Sequence, residues 1–498
     1  MKRFATGIIK HTIKALLYGV AGAFLVILTG AVIFLDSRPD LKIWHTAELD
    51  AEFTTESDVH SFSDYLALED RLFKQLDERV YAQISPGDRH AVNRYSRNSL
   101  SDPARWPRNW NRSFELDAAT PQAGVLLLHG MSDSPYSLRS LGQGLNAAGA
   151  TVVGLRLPGH GTAPVGLTEA RWEDMAAAVQ LAMQHLRDKV GTQPIYIIGY
   201  SNGAPLAVNY ALSVLADPEL PAVSRLVLVS PAIGVSPAAA LAVWQARLGH
   251  LLGLDKLEWN SLQPEYDPFK YGSFAINAGD QVYRLTTHIQ KQFSRLGADG
   301  LQQFPPVLAF QSVVDATVSV RDVLGGLFDR LPRGGHQLVL FDIDRLADYQ
   351  YILRKDPKTE IGALLTDAAQ DFDVILLTNR SAESREIVIR QRSAGSTAVT
   401  TQETTFSWPR KMYSLSHLAL PTPPDDPLYG GPDAGKSPGI RLGNLALRGE
   451  RGVLRVSPSD MLRIRWNPFY PYLESRTREF LGLNKQVGLQ ASSSTASF

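Results

Sequence analysis

Apolar residues recur along this chain in three rhythms. The first is an unbroken run from Ala15 to Leu35, 21 residues without a charge. As a helix rising about 1.5 Å per residue, that run matches the roughly 30 Å hydrocarbon thickness of a bilayer. Lys2, Arg3, Lys10 and Lys14 precede it and Asp36 follows. The pattern predicts a single-pass anchor: residues 1–14 a cytoplasmic tail, 15–35 a transmembrane helix, and the rest on the periplasmic or other extracytoplasmic side. A cleaved signal peptide would carry a shorter apolar region and end at a small-residue site, unlike Ile33-Phe34-Leu35-Asp36. A buried core helix fits the length and terminal position less well.

The second rhythm is helical. Tyr65, Leu68, Leu72, Leu76 and Val80 step by threes and fours, which predicts an amphipathic helix over Ser61–Val80. Ser61 and Asp64 have the spacing of a capping box. Polar residues 85–112 read as a surface connector, so 36–115 is expected to be a stalk and helical connector. The third rhythm begins at Gly124. Short apolar runs (Val125–Leu128, Thr151–Leu155, Ile195–Ile198, Leu226–Val229, Val307–Phe310, Leu338–Phe341, Val374–Leu377) alternate with helical stretches. Such alternation predicts an α/β domain, 116–484, with a mostly parallel sheet covered by helices on both faces. Ligands in such sheets lie beyond the carboxyl ends of the strands. Residues 231–303 break the alternation with the apolar stretch Ala238–Leu254 and the aromatic turn Tyr266–Tyr271, and are expected to form a lid. The tail 485–498 reads as disordered.

Composition narrows the chemistry. Lys+Arg and Asp+Glu are 50 each, which argues against holding nucleic acid by charge. Cysteine is absent, excluding disulfides, thiolate metal sites and a cysteine nucleophile. No H-E-x-x-H, P-loop or G-x-G-x-x-G motif follows a strand, so no metal or cofactor is expected. The pair Asp425-Asp426, between prolines, reads as a solvated turn.

The residues Gly199-Tyr200-Ser201-Asn202-Gly203 follow the strand candidate Pro194–Ile198 and precede a small-residue helix. This is G-x-S-x-G in the strand–turn–helix setting that makes its serine a candidate nucleophile. The flanking glycines let strand and helix approach, and the serine sits where backbone N–H groups favour developing negative charge. The N–H of Asn202 is one candidate oxyanion donor. The strand ending in His129-Gly130-Met131 supplies the other, the N–H of Met131. The side chain of His129 is read as a brace for its loop rather than a catalyst.

A further glycine-rich turn, Leu157-Pro158-Gly159-His160-Gly161-Thr162, completes a recognisable series. With the His-Gly-Met turn and the serine elbow, in that order, the chain resembles the α/β-hydrolase superfamily, in its monoacylglycerol lipase, lysophospholipase and serine-aminopeptidase-like branch. The likeness covers roughly 120–330 and none of the N-terminal 115 residues. It implies an α/β-hydrolase fold with an eight-stranded, mostly parallel sheet and a helical lid, and hydrolysis of an ester, thioester or amide. Asp315, after the strand Pro306–Ser312, matches the acid position of that family. Its rival Asp322 falls in the following helical pattern. Of the histidines beyond it, His336 precedes a strand, at the opposite edge of the sheet, while His417 lies in a loop stiffened by Pro421, Pro423 and Pro424 and is the expected base. Asp315 and His417 are 102 positions apart, farther than in close relatives, so residues 345–412 must hold an insertion with a further strand and a hairpin through Glu386–Arg392.

The expectation is a membrane-anchored serine hydrolase acting on a small-molecule or lipid carboxylic ester through Ser201, His417 and Asp315. The same triad would serve a peptidase or an acyltransferase. The alternative of another class is a non-catalytic, membrane-tethered binding protein on a hydrolase fold.

Overall fold

The computed structural model describes residue 14, 16–23, 25–26, 29–30, 33, 35–234, 255–350, 352–353, 356–443, 445 and 457–483. The expected apolar helix Ala238–Leu254, the tail 485–498 and nearly all of the stretch 1–14 lie outside them. Among the described residues no helix is long and apolar enough to cross a membrane. A span needs about 20 consecutive apolar residues in one helix, and no described helix supplies them. The expected anchor over 15–35, and the cytoplasmic and periplasmic placements built on it, are corrected accordingly.

The elements run in order: helix α1 (Phe62–Leu76), β1 (Phe114–Leu116), β2 (Ala123–Leu128), α2 (Arg139–Ala147), β3 (Ala150–Leu155), α3 (Trp172–Val190), β4 (Ile195–Tyr200), α4 (Gly203–Ala216) and β5 (Arg225–Val229). Next come the short strands β6 (Trp259–Ser261) and β7 (Phe274–Ala275), then α5 (Ile276–Gly300), β8 (Val307–Ser312) and β9 (Gln337–Phe341). The series ends with α6 (Lys358–Thr366), β10 (Asp373–Asn379), β11 (Glu386–Arg392), β12 (Val399–Ser407) and α7 (Tyr470–Leu481). Ten strands form one sheet in the order β1-β3-β2-β4-β5-β8-β9-β10-β11-β12. From β3 to β10 all neighbours are parallel, while β1 and the β10-β11-β12 meander are antiparallel. The segment expected as an insertion before His417 thus contributes three strands, β10, β11 and β12, to one end of the sheet.

The strands are apolar throughout because both faces are covered. Alternate side chains point to opposite faces. In β2, Leu126 and Leu128 join a core with Ala178, Ala182 and Leu186 of α3, Leu206 of α4 and Leu285 of α5. Val125 and Leu127 join a second core with Leu141 and Leu145 of α2 and Leu473 of α7. A mostly parallel sheet between helical layers, with the serine turn at the end of a central strand, is the α/β-hydrolase fold.

The N-terminal segment does not stand apart as a stalk. Ser61 caps α1, accepting from the Asp64 N–H at 3.1 Å while the Asp64 carboxylate accepts from the Ser61 N–H at 3.0 Å. Beyond the cap, Arg156, at the end of β3 and 1% exposed, pairs with Glu52 at 2.9 Å and Glu69 at 3.1 Å. Burial pushes the Glu69 carboxyl up, against the opposing pull of Arg156. In the stretch read as a surface connector, Arg94, Tyr95, Asp102, Trp106 and Asn111 are buried. The polar pattern misled because these side chains find partners inside: Tyr95 donates to the Thr162 carbonyl and Asn111 to that of Pro268.

Candidate active site

Ser201 sits at the tip of the turn between β4 and α4 with φ of +52°, in the left-handed region that side chains rarely adopt. Its N–H donates to the Val229 carbonyl at 3.0 Å, and its carbonyl accepts from Ala204 and Ala232, both at 3.1 Å. The glycines around it are sterically required. A Cβ on Gly199 would lie 2.4 Å from the Gly203 carbonyl oxygen, and one on Gly203 would lie 2.0 Å from that of Leu128. The strained serine is thus held between a strand and a helix that only glycines let approach.

Met131 and Asn202 flank this point. Gly130 lies so near that a Cβ there would be 3.0 Å from the Ser201 Cβ. Among the described residues the backbone N–H groups of Met131 and Asn202 donate to no acceptor. Two unpaired backbone donors at a helix entrance are what an oxyanion would use. His129 is fully buried; its Nδ1 donates to the Gly130 carbonyl at 2.9 Å and its Nε2 accepts from the Leu157 N–H at 3.0 Å. Burial, reinforced by the neighbouring His160, holds it well below its ordinary pKa, so it is a neutral brace between two loops.

Asp315 and His417 meet. The His417 Nδ1 donates to Asp315 Oδ2 at 2.8 Å, with the aspartate side chain wholly buried and the imidazole 5% exposed. Asp315 Oδ1 accepts from the N–H groups of Thr317 at 2.8 Å and Val318 at 3.0 Å. Burial alone would raise this carboxyl, but the His417 bond and charge and the two backbone donors outweigh it and hold it below its usual value. Tyr200, next to Ser201, tilts over the His417 ring at 5.5 Å between centroids. The Ser201 hydroxyl makes no hydrogen bond to His417 among the described residues, so the structure joins acid to base and leaves the base unjoined to the serine. Asp322 is exposed, in the first turn of the short helix Val320–Gly326 that Ser319 caps. His336 is buried at the far edge, accepting from Val307 N–H at 3.1 Å.

The long gap before His417 is spanned by a network that sequence reading missed. At the end of β9, Asp342 takes a bidentate pair from Arg345 at 2.7 and 2.8 Å and a bond from the Thr378 hydroxyl at 2.7 Å. Asp344 accepts from the Asn379 amide at 2.8 Å, and its N–H donates to the Tyr413 carbonyl at 2.9 Å. The Ser312 hydroxyl donates to the Leu415 carbonyl at 2.9 Å. Carboxylates at the end of one strand and Thr-Asn at the end of the next carry the signal, visible only once β9 and β10 are known to pair. Asp426 corrects another expectation. Asp425 is exposed, but Asp426 is buried, paired with Arg139 at 2.9 Å and bonded by the Tyr136 hydroxyl at 3.0 Å. Its partners lie some 290 residues earlier, beyond any local pattern.

A family model described as serine aminopeptidase, S33, matches residues 119–342. The thermostable monoacylglycerol lipase of Bacillus sp. (strain H-257) is 35% identical over 88 residues, 18% of this chain and 34% of that protein. The chain thus spans about a third of the length of that curated relative. Among solved structures, a monoacylglycerol lipase of Paleococcus ferrophilus is similar at 20% identity and a TM-score of 0.36, over 46% of this chain and 89% of that one. A carboxyl esterase of Bacillus coagulans is similar at 15% identity and a TM-score of 0.34, over the same two shares.

Proposed function

We propose that the chain is a serine hydrolase of carboxylic esters, of lipase, lysophospholipase or carboxylesterase type. The observation that carries the reading is the buried Asp315–His417 pair beside a serine held at positive φ. In this mechanism the Ser201 oxygen attacks the ester carbonyl carbon while His417 Nε2 takes the hydroxyl proton. Asp315 keeps the other ring proton on Nδ1 and stabilises the imidazolium. The tetrahedral oxyanion is held by the N–H groups of Met131 and Asn202. Collapse expels the alcohol, which receives the proton from His417. Water activated by His417 then cleaves the acyl-enzyme. The missing serine–histidine bond fits this scheme, because catalytic hydrogen bonds are often loose without substrate and tighten in the complex.

Residues of the expected lid, about 231–303, support a covering role. The Tyr271 N–H donates to the Ser132 carbonyl at 2.8 Å, and Lys270 pairs with Asp133 at 2.9 Å, both directly after the oxyanion turn. A lipid ester is the favoured substrate class, in keeping with the relatives named above. The test is hydrolysis of p-nitrophenyl esters of short to long acyl chains by the full chain, with Ser201→Ala and His417→Ala in parallel. Turnover lost in both variants supports the reading; turnover surviving Ser201→Ala refutes it.

A further inference from the structure

A small recess lies next to the candidate site, lined by chain neighbours of the site residues and not by Ser201, His417, Met131 or Asn202 themselves. Its walls include Tyr200, which precedes Ser201, Leu418, which follows His417, and Asp133, two residues past Met131. The remaining polar wall is dominated by Lys270, Arg465 and Tyr429. Its volume of about 20 Å³ exceeds the 10–15 Å³ that a single water needs on the same measure, and is far below that of a pocket for a drug-sized ligand. It takes a small polar terminus and not an acyl chain.

The hydrogen-bond inventory shows which terminus. The Lys270 ammonium has three donors, of which Ser132 Oγ and Asp133 Oδ1, both at 2.9 Å, use two. The Arg465 guanidinium has five donors. Among the described residues it spends one on Asp267 at 3.5 Å and one on the Tyr266 hydroxyl at 3.1 Å. Asp267 is not part of the wall. It is fixed from behind by the Tyr429 hydroxyl at 2.7 Å and the Phe269 N–H at 3.0 Å. Each cation is thus ion-paired, Lys270 with Asp133 in the wall and Arg465 with Asp267 behind it, and each keeps donors to spare. Both cations are largely buried, their side chains 20% and 14% exposed, where solvent screening is weak.

We propose that this recess binds an anionic group of carboxylate size on the substrate, making Arg465 and Lys270 determinants of specificity for esters with a negatively charged end close to the scissile carbonyl. The assignment rests on the serine-hydrolase reading and adds the substrate class. A charged partner in such a site forms hydrogen bonds roughly twice as strong as neutral ones, so discrimination of about tenfold is expected.

The test compares matched esters that differ only in one charge. The pair p-nitrophenyl hemisuccinate and p-nitrophenyl butyrate places the anion on the acyl side. The pair 4-acetoxybenzoate and its methyl ester places it on the leaving group. For one of the pairs the wild-type chain should favour the anionic member about tenfold in kcat/KM. Arg465→Gln should abolish that preference through a raised KM for the anionic ester, and Arg465→Lys should restore part of it. Lys270→Met is the independent second variant. A wild-type enzyme that hydrolyses the neutral esters without favouring either anionic one overturns the recess assignment alone. So does an Arg465→Gln variant that keeps the preference intact. Failure to hydrolyse any of the four esters overturns the hydrolase reading beneath it.

Discussion

Replacing Asp315 with Asn changes a single atom and is expected to remove most activity while leaving the fold in place. Asp315 Oδ1 is committed to the N–H groups of Thr317 and Val318, at 2.8 and 3.0 Å. An amide at this position keeps its carbonyl oxygen on those donors and so turns its NH2 toward His417. The ring nitrogen 2.8 Å away must then accept rather than donate, which moves the imidazole proton to Nε2. In that tautomer His417 cannot take the proton of Ser201. The corresponding change in chymotrypsin-like triads lowers kcat about 10⁴-fold, and the same order is expected here, about 5 kcal/mol of transition-state stabilisation. Losing one charge-assisted hydrogen bond costs about 1.5–3 kcal/mol of stability, so the variant should remain folded. The assay is ester turnover at saturating substrate beside a urea melt. A folded Asp315→Asn variant within tenfold of wild-type kcat would show that Asp315 does not set the tautomer of the base.

Other expectations follow from the packing and the titrating groups. Gly203→Ala places a Cβ 2.0 Å from the Leu128 carbonyl oxygen and should cost at least about 3 kcal/mol in chemical denaturation, since backbone must shift to admit it. Arg156→Met leaves Glu69 buried and unpaired, for a loss of about 3–5 kcal/mol near neutral pH. That loss should shrink on acidification, because a carboxyl whose folded pKa is raised recovers stability as it protonates. His160 and His336 are held down to about 4 and His45 to about 3, each chiefly by burial. Their folded values lie below the unfolded 6.5, so the stability tied to their neutral forms is complete above pH 6.5 and declines as pH falls toward 4. Each contributes up to about 1.4 kcal/mol per pH unit within that window. Urea midpoints flat between pH 7 and 4.5 would contradict the buried neutral histidines.

The elements carrying the candidate site were legible because their signals are local. Strand, turn and helix around Ser201 show as an apolar run, paired glycines and small residues within about twenty positions. The alternating runs from Val125 to Leu377 gave the mostly parallel sheet, because strands buried on both faces are apolar throughout. What escaped depends on distance along the chain. The strand β1 is three residues long and gains its place only by pairing with β3. The strand β12, Val399–Ser407, is polar and largely exposed at the sheet edge, so no burial rhythm marks it. The polar stretch 85–112 looked like surface because the partners of Arg94, Tyr95 and Asn111 lie elsewhere in the sequence. The same holds for the Arg139–Asp426 pair and for the recess formed by Lys270 and Arg465. The apolar run 15–35 shows the converse: its hydropathy and length predict a span, and among the described residues no helix is long and apolar enough to be one.

The central claim is that Ser201 is a nucleophile activated by His417. Reaction of the full chain with a fluorophosphonate, followed by intact mass and peptide mapping, tests it most directly. One adduct per chain on the peptide containing Ser201, absent from Ser201→Ala and strongly slowed in a folded His417→Ala, is the predicted result. An unlabelled wild-type protein, or an adduct that persists in Ser201→Ala, would contradict it.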